Sequence, residues 1–382
     1  KYYSTSLFAT KLVLILQDMK AKLGYLCSSE SWGGLEMNHV RNALWMQERG
    51  HSVVLLCIEG SKIEEFAAHN NIATITIEKH KKYYDFKKAK VLAQVISTNS
   101  ITHLIIRSNE DMSIASNVKL RLKNKIQTSY FMEMQIGVKK TNLLHTLRYK
   151  NIDIWSCPLE WLKKQVEEMT HFKNKIVVIP SGMDLSKFSN LKNKDEDRAT
   201  FGMEQSTLTF GLIGRFDVQK GQLLLLEAVE KCKNKNLNVA LLGEPTYNEG
   251  NAYFDAMTSF IAQHQLENRI SIHPFINNTA QFYNAIDWLV MATKAETFGM
   301  VTIESLACGT PVLGSNAGGT PELLQNETGG RLFETLSSDD LAKKIDSICE
   351  SNATFDKATL KSLVTRFDHH SVCEMVEKTL GL

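Results

Sequence analysis

No apolar run in the sequence reaches the roughly 18 residues that a membrane-crossing helix needs. There is no CxxC. The seven cysteines (Cys27, Cys57, Cys157, Cys232, Cys308, Cys349, Cys373) are scattered and odd in number, so they fit reduced, mostly buried thiols and not a disulfide frame or a zinc site. There is no HExxH. Only His369-His370 stand side by side among the eleven histidines, and no metal-ligand cluster emerges. GxGxxG, the dinucleotide fingerprint, is missing too.

The chain has 382 residues, 43% hydrophobic and 23% charged, which is the balance of a soluble globular protein long enough for two separate cores. Its net charge of +2 conceals an asymmetry. Residues 20–185 hold 24 Lys and Arg against 16 Asp and Glu, and residues 186–382 hold 18 against 25. A basic first half beside an acidic second half favours docking on anionic partners, a lipid surface above all; ordinary variation between domains is the alternative.

Residues 1–18 are expected to lie outside the functional unit, because Met19-Lys20-Ala21-Lys22 reads as a start that runs straight into a strand. From there to 179, apolar strands near 23–27, 52–58, 72–77, 102–107, 126–131, 153–156 and 175–179 alternate with helices near 34–49, 61–69, 85–98, 111–123, 141–149 and 158–170. Such alternation predicts a parallel sheet covered on both faces, with ligands at the C-terminal ends of its strands. Gly33-Gly34, opening the first helix, would let a phosphate approach the backbone; a simple tight turn is the alternative. Glu133 and Gln135 end another strand and are candidates for binding hydroxyls of a ligand, with an ordinary loop carboxylate as the alternative for Glu133. The basic and aromatic run Lys79–Lys90 has no accompanying nucleic-acid motif, so it is read as a solvated helix start or an anionic-membrane contact, with no nucleic-acid partner.

A first domain is thus expected over 19–185 and a polar interdomain linker over 186–206. That linker contains Asp195-Glu196-Asp197, formally a DxD, but in a mixed charge run with no strand before it, which reads as solvated linker. A second α/β domain is expected over 207–366, with strands at 208–213, 239–243, 270–272 and 288–291, and a final helix over 367–382.

The densest chemistry lies in residues 291–324. Glu296 and Glu304 have seven residues between them; Thr297-Phe298-Gly299-Met300 turns into an apolar helical run that ends at Gly309, and Pro311-Val312-Leu313 follows as a buried strand. Helix-start N–H groups suit an anion, and carboxylates suit sugar hydroxyls. Upstream, Gly214-Arg215-Phe216 precedes Lys220-Gly221, a guanidinium and an ammonium beside two glycines. A guanidinium binds phosphate oxygens in a fork and an ammonium supplies a compact mobile charge, so together they suit a phosphate group without a bound ion.

These segments, with Ile179-Pro180-Ser181-Gly182-Met183-Asp184 between the halves, resemble retaining glycosyltransferase family 4 in order and spacing. The resemblance covers the C-terminal half and its border. It implies an α/β chain of GT-B fold, two Rossmann-like doubly wound parallel-sheet domains facing each other across a cleft, with the last helix crossing back onto the first domain. The implied activity moves a sugar from a nucleotide-diphosphate donor, UDP favoured, to a glycan or lipid-linked acceptor hydroxyl, with no metal or other cofactor. Arg215, Lys220 and Glu296 are the implied catalytic residues. Gly33, Gly34, Gly214, Phe275, Phe298, Gly299, Met300, Val301 and Glu304 are the implied donor-binding residues, with Glu304 on the ribose. Many family members carry a histidine where this chain has the Glu133 loop, which leaves its acceptor side unlike theirs. A cytoplasmic protein, peripheral on the inner face of the membrane, is the expected setting. A nucleotide-sugar epimerase, a phosphorylase and a non-catalytic sugar-nucleotide scaffold remain alternatives.

Overall fold

The structure, a computed structural model, describes residues 21–189, 191–245, 251–351 and 354–382; the segment 1–18 lies outside the described residues. The chain forms two compact units, one running to Gly182 and resuming at His369–Leu382, the other Met183–Asp368.

In the first unit seven parallel strands, β1 (Lys22–Cys27), β2 (Ser52–Cys57), β3 (Ala73–Thr76), β4 (His103–Ile106), β5 (Gln127–Phe131), β6 (Ile154–Cys157) and β7 (Lys175–Val178), are ordered β3-β2-β1-β4-β5-β6-β7. The apolar runs of the central β1 and β2 are continuous because both faces are covered, whereas the edge strand β3 is largely exposed. Leu23, Tyr25, Val53 and Leu55 pack into one cluster, and the intervening Leu26, Val54 and Leu56 pack into the other. The helix Gly34–Glu48 covers the first of these faces, and the C-terminal helix His369–Leu380 joins it there through Val372, Cys373, Val376 and Leu380. Residues four apart form one stripe on a helix, so this segment has a single face to bury.

Polar contacts clamp that helix to the first unit. Arg49 donates to both oxygens of Glu377, at 2.8 and 2.7 Å, and His51 Nε2 lies 2.8 Å from Glu377 Oε1. The Arg49 hydrogen bonds above all hold the Glu377 carboxyl down to about 2. A depressed folded value means that the stabilisation is complete above the unfolded carboxylate value, about 4.3, and disappears as pH falls through about 2. Glu377→Gln is therefore expected to lower the melting temperature at neutral pH, with the gap to the parent protein closing between pH 4.3 and 2. A gap that stays constant across that window in thermal melts would contradict the linkage.

The second unit has six parallel strands, β8 (Leu208–Ile213), β9 (Leu237–Leu242), β10 (Ile270–His273), β11 (Trp288–Met291), β12 (Val312–Ser315) and β13 (Gly330–Phe333), ordered β10-β9-β8-β11-β12-β13. In each sheet the order reverses once, at β1/β4 and at β8/β11. Connections leave to opposite faces there, and the crevice at the strands' C-terminal ends is where such sheets bind ligands.

The segment 186–206, expected to be a solvated linker, is instead packed into the second unit. It holds a 3-10 turn, Leu185–Phe188, and the helix Lys194–Thr200, capped by Asn193, whose side chain accepts from the Asp195 N–H. Arg198 is buried. Its guanidinium donates to Asp287 Oδ2 at 3.1 Å and to the carbonyls of Glu204 and Thr207 at 2.7 and 2.5 Å. Asp197 is buried as well and accepts from Asn284 Nδ2 at 2.8 Å. The helix went unread because charged residues bury it, on partners some ninety residues further on, and no apolar period marks it. The short helix Thr279–Ala285 and the four-residue β13 were also not read from the sequence; both are too short for a periodic signal.

Candidate active site

In the second unit β8 delivers the chain into the Gly214–Gly221 loop. Asp217 curls it: Oδ1 accepts from the N–H groups of Gln219 and Lys220 at 2.9 and 3.2 Å, a local aspartate turn. The same carboxylate pairs with Arg215 Nη2 at 3.5 Å, and Gln222 Nε2 donates to the Arg215 carbonyl at 2.8 Å. This curl sends Lys220 back across Gly214, so that a Cβ there would stand 3.3 Å from the Lys220 stem. The Lys220 ammonium lies 3.6 Å from Glu296 Oε2.

Glu296 belongs to the loop that follows β11, on the other side of the strand-order reversal. Glycines allow the close approach. Gly221 has φ +74° and begins the helix Gln222–Lys231; a Cβ on it would stand 2.3 Å from the Ala292 carbonyl oxygen. Gly318 has φ +62°, and a Cβ on it would stand 2.4 Å from the Glu296 carbonyl oxygen. Only glycine combines that backbone with that proximity. The neighbouring Gly319 N–H donates to the Glu296 carbonyl at 2.8 Å, so Glu296 is held by its backbone as well as by Lys220.

Glu304 lies one turn inside the helix Met300–Cys308, and Tyr283 donates its hydroxyl to Glu304 Oε2 at 2.7 Å. Burial first, and then the Glu304 charge, raise the Tyr283 phenol well above its ordinary value, so it stays a donor. Gly299 begins this helix without a side-chain cap, leaving the N–H groups at Met300 and Val301 uncovered by its own residue. Phe298 is buried edge-on against Phe367, 5.6 Å between rings, so its side chain belongs to the core. Phe275, beyond β10, is 53% exposed.

In the first unit Gly33 precedes the helix Gly34–Glu48, and its N–H donates to Glu36 Oε2 at 3.0 Å. Nothing lies within 4 Å of a Cβ built on Gly34, so this helix start is open. The Glu133 side chain is 8% exposed and fully engaged: Arg107 Nη1 pairs with it, Asn38 Nδ2 donates at 3.0 Å, and Ser181 Oγ lies 3.2 Å from both oxygens. Gln135, two residues on, lines a cavity of the same unit.

The structure thus brings Lys220, Gly214 and Glu296 together, and sets Arg215 on Asp217 with its side chain 62% exposed. Three contributors went unread in the sequence. Asp217 had a signal, an aspartate opening a tight turn two residues before Gln219. Gly318 had one too, in the paired glycines. Tyr283 had none, because its partner Glu304 lies on a different helix.

Residues 193–361 match the family model for glycosyl transferases group 1. They span nearly all of the second unit, including the misread helix and every second-unit residue of the site. The match lies within Met183–Asp368. The whole chain is similar in fold to the Anabaena protein HepE solved with UDP (TM-score 0.80, 18% identity, 94% of this chain and 99% of that one). It is equally similar to a glycosyltransferase of Rickettsia africae (TM-score 0.80, 19% identity, 95% and 99%). The two parallel Rossmann-like sheets and these neighbours make this a GT-B fold. Among curated proteins, an uncharacterized glycosyltransferase of Methanocaldococcus jannaschii is 26% identical over 265 residues, 69% of this chain. A D-inositol 3-phosphate glycosyltransferase of Mycobacterium marinum is 28% identical over 181 residues, 47% of this chain. The matches span 63% and 38% of those two proteins' lengths. In this unit the fold puts the Gly214–Gly221 loop and the Glu296 loop at one strand-order reversal, where sheets of this kind bind ligands.

Proposed function

We propose that this chain is a retaining glycosyltransferase that moves a sugar from a nucleotide-diphosphate donor, a UDP-sugar in preference, to an acceptor hydroxyl without a metal ion. The observation that carries the reading is the Lys220–Glu296 pair, a cation and a carboxylate delivered from two loops to one reversal point. Charge on the leaving diphosphate grows as the bond to the sugar breaks, and a preorganised ammonium already in position stabilises it without reorganisation. Arg215 supplies a second, mobile cation from the same loop, and the helix start at Met300 supplies N–H groups. Glu304, oriented by Tyr283, accepts from ribose hydroxyls, and Glu296 positions the transferred sugar. Attack comes from the face the diphosphate leaves, whose oxygen takes the acceptor proton, so no separate general base is required. The HepE complexes with UDP and with UDP-glucose favour UDP as the nucleotide.

The test is a donor screen, reading released nucleotide by mass spectrometry with UDP- and GDP-sugars, with and without EDTA. UDP release from at least one donor, undiminished by EDTA, is the expected result. Release from no donor, or loss of release on chelation, would overturn the reading.

A surface-glycan or lipid-linked acceptor, met at an anionic membrane, fits the first unit. The helix Leu143–Tyr149 exposes Leu143, Leu144 and Leu147, with Phe86 exposed as well. Lys79 and Lys88 are paired with Glu30 and Glu78, and among the described residues Lys87 and Lys90 have no ion pair. No helix among the described residues is long and apolar enough to cross a membrane.

A further inference from the structure

The strand β3 closes one side of the first unit's sheet and is paired with β2 alone. Its register on β2 runs without a bulge from Ala73 against Val54 to Thr76 against Cys57, and the Ile77 N–H donates to the Cys57 carbonyl at 2.8 Å. Backbone groups along a strand point to alternate sides, residue by residue. Ile77 faces β2, so Ile75 and Ala73 do as well, and the N–H and C=O groups of Thr74 and Thr76 face outward. That side is open: Ala73, Thr74 and Thr76 are all exposed.

An open edge is a template for another strand, and proteins blunt it with proline, charged side chains, a bulge or a covering element. β3 is short, yet residues 70–77, Asn-Asn-Ile-Ala-Thr-Ile-Thr-Ile, carry neither charge nor proline and are rich in β-branched side chains. Ile75 and Ile77 pack against the cluster that holds Leu92, on the side of the helix Phe86–Thr98, where Val91 is 56% exposed. A cavity of about 110 Å³ lies there, lined in part by Thr76, Ile77 and Val91; its charged groups are already matched, Glu78 to Lys88 and His80 to Asp111. The edge therefore offers main-chain donors and acceptors beside apolar side chains, and no net charge to oppose a like edge.

We propose that β3 pairs antiparallel with β3 of a second copy of this chain, about a two-fold axis at Ile75. This register matches the outward groups of both threonines to one another. Thr74 of each copy faces Thr76 of the other, and each such pair exchanges N–H···O=C bonds in both directions. Ile75 then faces its own copy as the closer, non-hydrogen-bonded kind of pair, with the two side chains in contact. Further out, Ile72 stands against Glu78 and Asn71 against Lys79, so no like charges meet. The contact is isologous and closes at two chains, joining two seven-stranded sheets into one.

Sedimentation of the full chain over roughly 1–100 μM tests it, with a reversible monomer–dimer equilibrium expected. Thr76→Pro removes an outward N–H at no cost in hydrogen bonds to β2. It enters the contact twice, so association is expected to weaken about tenfold or more while the melting temperature stays near the parent's. Register is read separately. Ile75→Cys is expected to give a disulfide-linked dimer on mild oxidation, because a non-hydrogen-bonded pair brings those residues together. Thr74→Cys, whose own copy lies two positions along, is expected to cross-link far less. The parent chain, with its native cysteines buried or half-buried, is the blank. Should Thr76→Pro fail to fold, the two cysteine variants decide alone. A dimer indifferent to Thr76→Pro, or equal cross-linking of both cysteine variants, would overturn the proposal. A monomer at every concentration would overturn it too, and would leave the edge to an extended segment of another protein.

Discussion

Lys220→Ala is expected to lower turnover about 10²–10³-fold, the usual effect of removing one preorganised group that stabilises transition-state charge. The ammonium contacts Glu296 in the resting protein, and in the proposed mechanism its partner in the reaction is the departing diphosphate. The loss should therefore fall on kcat more than on the donor KM, since the interaction strengthens as charge develops. Lys220→Arg keeps the charge but not the compact head, and the stem packed across Gly214 leaves little room for a planar fork; partial activity is expected. Arg215→Ala should cost less, because that side chain is mostly exposed and already shares Asp217. Steady-state kinetics with a donor found in the screen decide it. Turnover within a few-fold of the parent protein for Lys220→Ala would remove the ammonium from the mechanism.

Asp287→Ala is expected to destabilise the second unit by about 3–5 kcal/mol, as removal of one partner from a buried ion pair does. Arg198, 3% exposed, would lose its carboxylate while remaining enclosed, and Lys194 and the Thr209 N–H would lose the same acceptor. Burial opposes ionisation of Asp287, but Lys194, the Thr209 N–H and Arg198 outweigh it and hold the carboxyl below its ordinary value. This contribution is therefore complete above the unfolded aspartate value, about 3.9, and is lost as pH falls through the lower folded one. Hydrogen exchange read on β8 and β11 reports the second unit alone. Protection there should collapse in Asp287→Ala and hold in the strands of the first unit; an equal loss in both would contradict the assignment.

The two predictions stand at opposite ends of what could be read beforehand. Lys220 and Glu296 announce themselves: each sits in a short run where glycine, charge and an apolar strand follow in a recognisable order. The central strands among the described residues were legible for a related reason, since a strand buried on both faces leaves an unbroken apolar run. Asp287 and Arg198 announce nothing. A charged helix that buries its charges looks, in sequence, like a helix that displays them, and the difference is a partner far along the chain. Glu133 is the same case inside the predicted site. It reads as a loop carboxylate that could meet a ligand, and it is instead committed to Arg107, Asn38 and Ser181.

Local order along the chain determined the two parallel sheets, the glycine-bearing turns after β8 and β11, and the chemical types gathered there, because strand burial and turn geometry depend on neighbours within a few residues. Tertiary structure decided which group meets which: Lys220 with Glu296, Tyr283 with Glu304, and Arg198 with Asp287. Such pairings join groups that the chain separates widely, and the energy of a charge or a buried donor depends on what stands a few ångströms away in space.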